Sequence, residues 1–141
     1  MSELRVAPDE PTPDLDTEWW WDAIDGHRLT VVRCPRCDRV TAVAAAFCPR
    51  CWAEDVERVP ASGTATLYTW TTVLQGYGPF AEKAPYVVAM VDLEEGPLLM
   101  TEIVDADPAT LHAGLRLTVG FRDREKGRAV MVFAPTTDTV R

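Results

Sequence analysis

Along residues 62–134, apolar and polar positions alternate in short runs, and turn residues such as Gly, Pro and Asp separate one run from the next. A two-residue period of this kind marks strands with one face buried. Five runs stand out: Thr64–Leu74, Tyr86–Leu93, Leu98–Val104, Leu115–Arg122 and Ala129–Ala134. Glu95-Gly96-Pro97 parts the second from the third, and Lys126-Gly127 turns the fourth into the fifth. Between the third and fourth lies Asp107-Pro108-Ala109-Thr110-Leu111-His112, where Asp followed by Pro predicts a short helix. Three strands, a short helix and two strands is the order of a five-stranded OB-fold barrel.

The pattern upstream is different. Pro8, Pro11 and Pro13 among acidic residues predict an extended lead-in over residues 1–15. A helix is expected from Asp16 to Asp25, capped by Asp14 or Asp16, with Glu18 in its first turn. Gly26 is expected to end it in the left-handed conformation. Successive helical residues are rotated by about 100°. Trp19, Trp20 and Trp21 therefore cannot all face one small core: either they clamp the helix onto the domain with one lying flat on the surface, or they form an aromatic docking surface for another subunit. Leu29–Arg33 then reads as a short strand running directly into Cys34. The fold class is mainly β, in three zones: an acidic lead-in and Trp-rich helix (1–27), a metal ribbon (28–60) and the barrel (61–141).

Cys34-Pro-Arg-Cys37 and Cys48-Pro-Arg-Cys51 are two CxxC knuckles separated by ten residues. Each knuckle brings two thiolates together from one tight turn, and two knuckles complete a tetrahedron. Four thiolates suit one Zn²⁺ ion, which is borderline-soft and has no geometric preference of its own. All four ligands come from the protein, so no position is left for reactive water and the site is structural. Iron in the same tetrahedron, a redox dithiol and disulfides are the alternatives. Asp38 and Trp52 stand where many ribbons place glycine. Arg33, Arg36, Arg39 and Arg50 lie close by in sequence and can offset the negative charge of a thiolate centre.

Composition narrows the function classes. The 141-residue chain is 47% hydrophobic and 26% charged, the balance of a folded globular protein. No run of about eighteen apolar residues occurs, so no membrane span is expected. The start, Met-Ser-Glu-Leu-Arg, has neither the basic region nor the apolar core of a secretory signal, so a cytoplasmic location is expected. Of the net charge of −8, residues 1–25 hold −7, with eight acids and one base. The remaining body is nearly neutral and lacks the basic footprint of a phosphate-tracking surface.

No self-sufficient active site emerges. His27 and His112 have no nucleophile or acid at telling spacing, and with all four cysteines committed to metal no thiol is left as a nucleophile. No phosphate-binding Gly-rich loop, GxSxG elbow or HExxH pair is present. Asp92, Glu94 and Glu95 read as solvated turn acids; Arg122, Arg124, Lys126 and Arg128 read as a soluble hairpin tip. The loop from Gln75 to Pro85 joins the first two barrel strands, where OB domains commonly recognise ligands. Its Tyr77 and Phe80, set among glycines and looking exposed, are candidates for a ligand or partner contact.

The succession Glu18-Trp-Trp-Trp-Asp22, Leu29–Cys37, Cys48–Cys51, Ser62–Val73 and Ala84–Val91 resembles the DUF35 family over about residues 15–134. The resemblance implies a rubredoxin-like zinc ribbon followed by an OB fold. It implies a protein that accompanies a thiolase-like catalytic subunit, and sometimes a MaoC-like hydratase, acting on acyl-CoA thioesters. Thiolase-like aldolases that shorten side chains, steroid ones among them, are partners of this kind. The chain would dock on the catalytic subunit, order its site and help hold the CoA thioester, while the chemistry belongs to the partner. Single-stranded nucleic-acid binding is the alternative class, with Tyr68, Trp70 and Tyr77 stacking on bases.

Overall fold

The alternation that predicts the barrel is realised most cleanly in Tyr86–Leu93, where Val87, Ala89, Val91 and Leu93 point inward. The computed structural model describes residues 11–124 and 127–137. Residues 1–10 of the expected lead-in, Lys126 of the expected hairpin turn and residues 138–141 lie outside the described residues. In chain order the elements are α1 (Glu18–Asp25), β1 (Thr30–Arg33), β2 (Val40–Thr41), β3 (Glu57–Pro60) and β4 (Thr64–Val73), followed by β5 (Tyr86–Leu93), β6 (Leu98–Ile103), β7 (Arg116–Arg122) and β8 (Val130–Pro135).

Strands β4 to β8 close into a barrel in the order β4-β5-β6-β8-β7. Every pair is antiparallel except β6 and β8, which meet in parallel at Ile103 and Phe133. Phe133, Leu67, Leu117 and Val91 fill the centre, each 2% exposed or less. Truncating Phe133, Leu67 or Leu117 to Ala costs about 2–5 kcal/mol through lost transfer energy and the cavity left behind. A bulge between Leu67 and Thr69 shifts the register of β4 against β5 and leaves Tyr68 on the outside, 60% exposed. The expected helix between β6 and β7 is a single 3-10 turn, Pro108–Thr110. Its Asp107 caps it as the sequence predicts, accepting from the Ala109 amide at 3.0 Å.

A second sheet, β2-β1-β3, carries the cysteines. Only its central strand β1 is foreseen; β2 is two residues long, and β3 turns a single half-buried side chain, Val59, toward the core. The two sheets share one core, because Leu29, Val31 and Ala42 of the ribbon pack with Ala65, Leu67 and Val91 of the barrel. The ribbon is thus anchored on the barrel through the hydrophobic residues that flank its metal knuckles.

Helix α1 starts two residues later than expected. Asp14 does not cap the helix directly. Its carboxylate accepts from the Asp16 and Thr17 amides at 3.0 and 2.9 Å, ordering the turn that leads into α1. At the other end Gly26 is not left-handed (φ −85°). His27 takes that conformation instead, at φ 58°. Arg28 N donates to Ala23 O and His27 N to Ile24 O, the paired bonds of a Schellman end displaced by one residue. His27 is held there by its side chain. The imidazole stacks on Phe121 at 5.2 Å, and Nε2 lies 2.8 Å from Asp123 Oδ1.

Candidate metal centre

Each cysteine knuckle is built in the same way, which explains why the two meet as a pair. Cys34 N donates to Arg39 O and Asp38 N to Cys34 O; Cys48 N donates to Ala53 O and Trp52 N to Cys48 O. Closing such a tight turn places Asp38 and Trp52 at φ 62° and 65°, conformations that favour glycine. The cost of Asp38 and Trp52, expected from the sequence, is real, and side chains offset it. Asp38 pairs with Arg33, and Trp52 stacks on Phe47 with ring centroids 5.2 Å apart.

The four Sγ atoms lie within 4.8 Å of one another, with Cys34–Cys51 and Cys37–Cys48 both at 3.5 Å. A tetrahedral ion with Zn–S bonds of about 2.3 Å spaces its sulfurs roughly 3.8 Å apart, within the range these four sulfurs span. Cys34 and Cys48 are buried, Cys37 is half-buried and Cys51 faces solvent. Peptide N–H groups of Cys51 and Arg50 point at Cys48 Sγ (3.5 and 3.4 Å) and hold its thiol well below the usual range, at about 6. Cys51 moves the opposite way. The Ala53 amide draws it down, yet the bond to Cys34, burial and the Cys37 and Cys48 thiols push it up to about 12. Cys37 is also raised, against the pull of the Arg39 amide. Thiols this crowded cannot all ionise together unless a cation sits among them. The chemistry of the donor set is that of a closed structural Zn²⁺ site.

Two of the four nearby arginines do not serve the sulfurs. Arg33 pairs with Asp38 and Glu57, and Arg36 with Asp55 at 3.1 Å. They tie the knuckles to β3 and to the segment before it.

The remaining sequence candidates are scattered. Trp20 is buried with Ile24 and Ala129, its ring edge-on to Trp21 at 5.1 Å. Trp19 and Trp21 are half-buried, and the Arg58 guanidinium lies 4.3 Å over the Trp19 ring. No one of the three stands fully exposed, because α1 presses its Trp face onto Phe121, Met131 and Ala44. In the loop between β4 and β5, Tyr77 is 75% exposed as expected. Phe80 is not exposed. It is half-buried in a 3-10 turn (Gly78–Phe80), 6.2 Å from the Tyr86 ring. Trp70 faces the barrel core, and Tyr68 faces solvent. His112 Nδ1 lies 3.2 Å from Thr110 O in the short turn before β7. Among the described residues no nucleophile, base and orienting group come together.

Three features escaped the sequence reading. The hairpin arginines are not a solvated tip: Arg128 Nη1 bonds Asp22 and Asp25 of α1, each at 2.9 Å, and Arg122 bonds Glu102 of β6. An exposed aromatic pair, Phe47 and Trp52, stands on the ribbon beside Cys48 and Cys51. Lys83 and Arg122 converge on the same oxygen of Glu102. Long-range ion pairs of this kind leave no periodic trace in a sequence.

Comparison with known proteins matches residues 21–57 to the family described as "ChsH2, rubredoxin-like zinc ribbon domain". Residues 58–122 match "ChsH2, C-terminal OB-fold domain". A DUF35 domain-containing scaffold protein of Methanocaldococcus jannaschii is 32% identical over 73% of this chain and 74% of its own length. A probable enoyl-CoA hydratase alpha subunit of Thermomonospora curvata is 30% identical over 89% of this chain, which spans only 39% of that protein. The benzoylsuccinyl-CoA thiolase subunit BbsA of Thauera aromatica is 31% identical over 67% of this chain and 66% of that subunit. Among solved structures, a chain of the Ltp2-ChsH2(DUF35) aldolase superposes with a TM-score of 0.79 at 30% identity, covering 89% of this chain and 98% of that one.

Proposed function

The chain belongs to the DUF35 family of zinc-ribbon and OB-fold proteins, and on that premise we propose that it is a non-catalytic accessory subunit of a thiolase-superfamily enzyme acting on acyl-CoA thioesters. The observation that carries this reading is the likeness to a chain of the Ltp2-ChsH2(DUF35) aldolase, over 89% of this chain and 98% of that one. The thiolase subunit from Thauera aromatica supports the same partner class. The site geometry agrees with it. All four cysteines converge on one metal position, and both histidines hold structural contacts. The reacting groups then belong to the catalytic subunit, and the chain orders that subunit's site and helps hold the thioester. A thiolase-like aldolase of steroid side-chain degradation is one partner of this kind.

Trp19 and Trp21, half-buried at the edge of α1, and Tyr77 on the β4–β5 loop are the contacts assigned to the partner. Co-expression with a thiolase-like protein from the same host tests the reading. Co-elution and a higher turnover of the partner are expected, with weaker co-elution for Trp21→Ala. Separate elution and an unchanged rate would sink it.

A second partner class has its own support, since a hydratase alpha subunit contains a region 30% identical to this chain. Co-elution with a MaoC-like hydratase in place of the thiolase-like protein would favour that assembly.

A further inference from the structure

Positive charge gathers at the rim of the barrel, in a cleft of about 350 Å³ lined by Phe80, Lys83, Glu102, Arg122, Arg124 and Val130. It opens between the β4–β5 loop and the β7–β8 hairpin, the two connections an OB barrel turns toward ligands. Lys83 Nζ lies 2.9 Å and Arg122 Nη2 2.7 Å from Glu102 Oε2. Bonding one oxygen, the two cations stand no more than 5.6 Å apart, although a single carboxylate balances only one of them. Glu102 is sunk in the wall, its side chain 15% exposed, whereas Lys83 and Arg122 are 33% and 44% exposed and face the opening. The Lys83 ammonium is further braced by the Phe80 and Tyr86 rings at 5.9 and 5.2 Å. The loop that carries it is pinned by Lys83 N donating to Phe80 O.

Two cations sharing one carboxylate repel each other, and a second anion in the cleft relieves that repulsion. Arg adds a planar fork suited to paired oxygens, and Lys a compact point charge. Such a grouping is conspicuous in a chain whose net charge is −8. We propose that this cleft is a binding site for the phosphate or diphosphate group of a small ligand, with Lys83 and Arg122 as its donors and Glu102 as the residue that positions both. The site is a property of the chain alone and stands whether or not the accessory-subunit reading holds.

Titration of the zinc-loaded full chain with inorganic pyrophosphate at 150 mM salt, followed by amide NMR shifts, tests it. Saturable shifts confined to Phe80, Lys83, Glu102 and Arg122 and their neighbours are expected. The apparent dissociation constant should rise at least tenfold in Lys83→Gln/Arg122→Gln and change less than twofold in the ribbon variant Arg36→Gln. The single variant Lys83→Gln, at a surface ammonium, keeps the test open if the double variant folds poorly; a rise of threefold or more is expected. Non-saturating shifts, shifts spread equally over the ribbon arginines, or equal affinities in the Lys83 and Arg36 variants would overturn the site. Tighter binding of a thymidine oligonucleotide than of pyrophosphate at equal phosphate concentration would overturn the small-ligand assignment.

Discussion

Asp25 and Arg128 are joined across the seam between α1 and the β7–β8 hairpin, with Arg128 Nη1 donating to Asp25 Oδ2 at 2.9 Å. The other oxygen of the same carboxylate accepts from the Ala129 amide at 2.8 Å, so the last residue of the helix grips the hairpin twice. The bond to Asp22, burial notwithstanding, raises the Arg128 guanidinium further above its ordinary range, with the Asp25 charge adding to the effect. Replacing Asp25 by Asn keeps the shape and removes the charge. A charge-assisted bond this open to solvent contributes about 1 kcal/mol after screening. Asp25→Asn should therefore lower the melting temperature by a few degrees and shift tryptophan emission to the red as Trp20 loosens. An unchanged melting curve and spectrum would show that the apolar face alone seats α1.

Trp52 is left-handed and 71% exposed, with Phe47 stacked on its ring. A side chain in that conformation costs roughly 1 kcal/mol, and an aromatic pair offsets roughly 0.5–1.5 kcal/mol. Trp52→Gly removes both effects and should leave the melting temperature almost unchanged. Trp52→Ala keeps the backbone cost and loses the stack, so it should be the less stable of the two by about 1 kcal/mol. The reverse order in thermal unfolding would refute the offset.

Metal removal should not leave an intact barrel behind. Leu29, Val31 and Ala42 belong to the barrel's own core, so a ribbon released from its ion exposes that core from one side. One zinc per chain is expected by metal analysis. A strong chelator, or acid that protonates the thiolates, should lower the melting temperature of the whole chain in one transition. A ribbon that melts separately while the barrel keeps its original midpoint would show the two to be independent.

Glu94 bears on acid stability. Bonds from Thr64 and from Ser62 (3.0 Å), together with the charge of Arg116, hold its carboxyl below the ordinary value of 4.5. Its contribution is present above that ordinary value and is lost as pH falls through the lower folded one, because the unfolded chain takes up the proton first. Glu94→Gln should therefore flatten the fall of melting temperature below about pH 4.5. The difference between the two curves cancels the thiolate site, which both proteins share. Parallel curves would remove Glu94 from the acid limb.

Much of the barrel is legible in the sequence because burial on one face writes a two-residue period. Tyr86–Leu93 is read to the residue, three further strands differ by one residue at one end, and the last is displaced by one residue at both. The metal site is equally legible, since two knuckles of fixed spacing leave little choice of chemistry. β2 and β3 leave no such trace: one has two residues, and the other half-buries only Val59. At the helix end, composition misleads. Glycine is the expected left-handed residue, but contacts with Phe121 and Asp123, both distant in sequence, move that role to His27. Phe80, expected to be exposed, is half-buried because the Tyr86 ring at the start of the next strand lies against it.

The two sheets also differ in how they end. Closure of the barrel leaves its strands no lateral neighbour to recruit, whereas the ribbon sheet stops at β2 on one side and at β3, with Pro60 last, on the other. Edges that short and proline-ended are poor templates for another chain while the knuckles hold them in place. Without the ion nothing clamps β2 and β3 against the central strand, and the Val31–Val32 stretch between them is expected to be the first apolar strand laid open. Colloidal stability of the protein is therefore expected to follow its metal occupancy. Turbidity during storage should follow zinc loss before it follows any opening of the barrel.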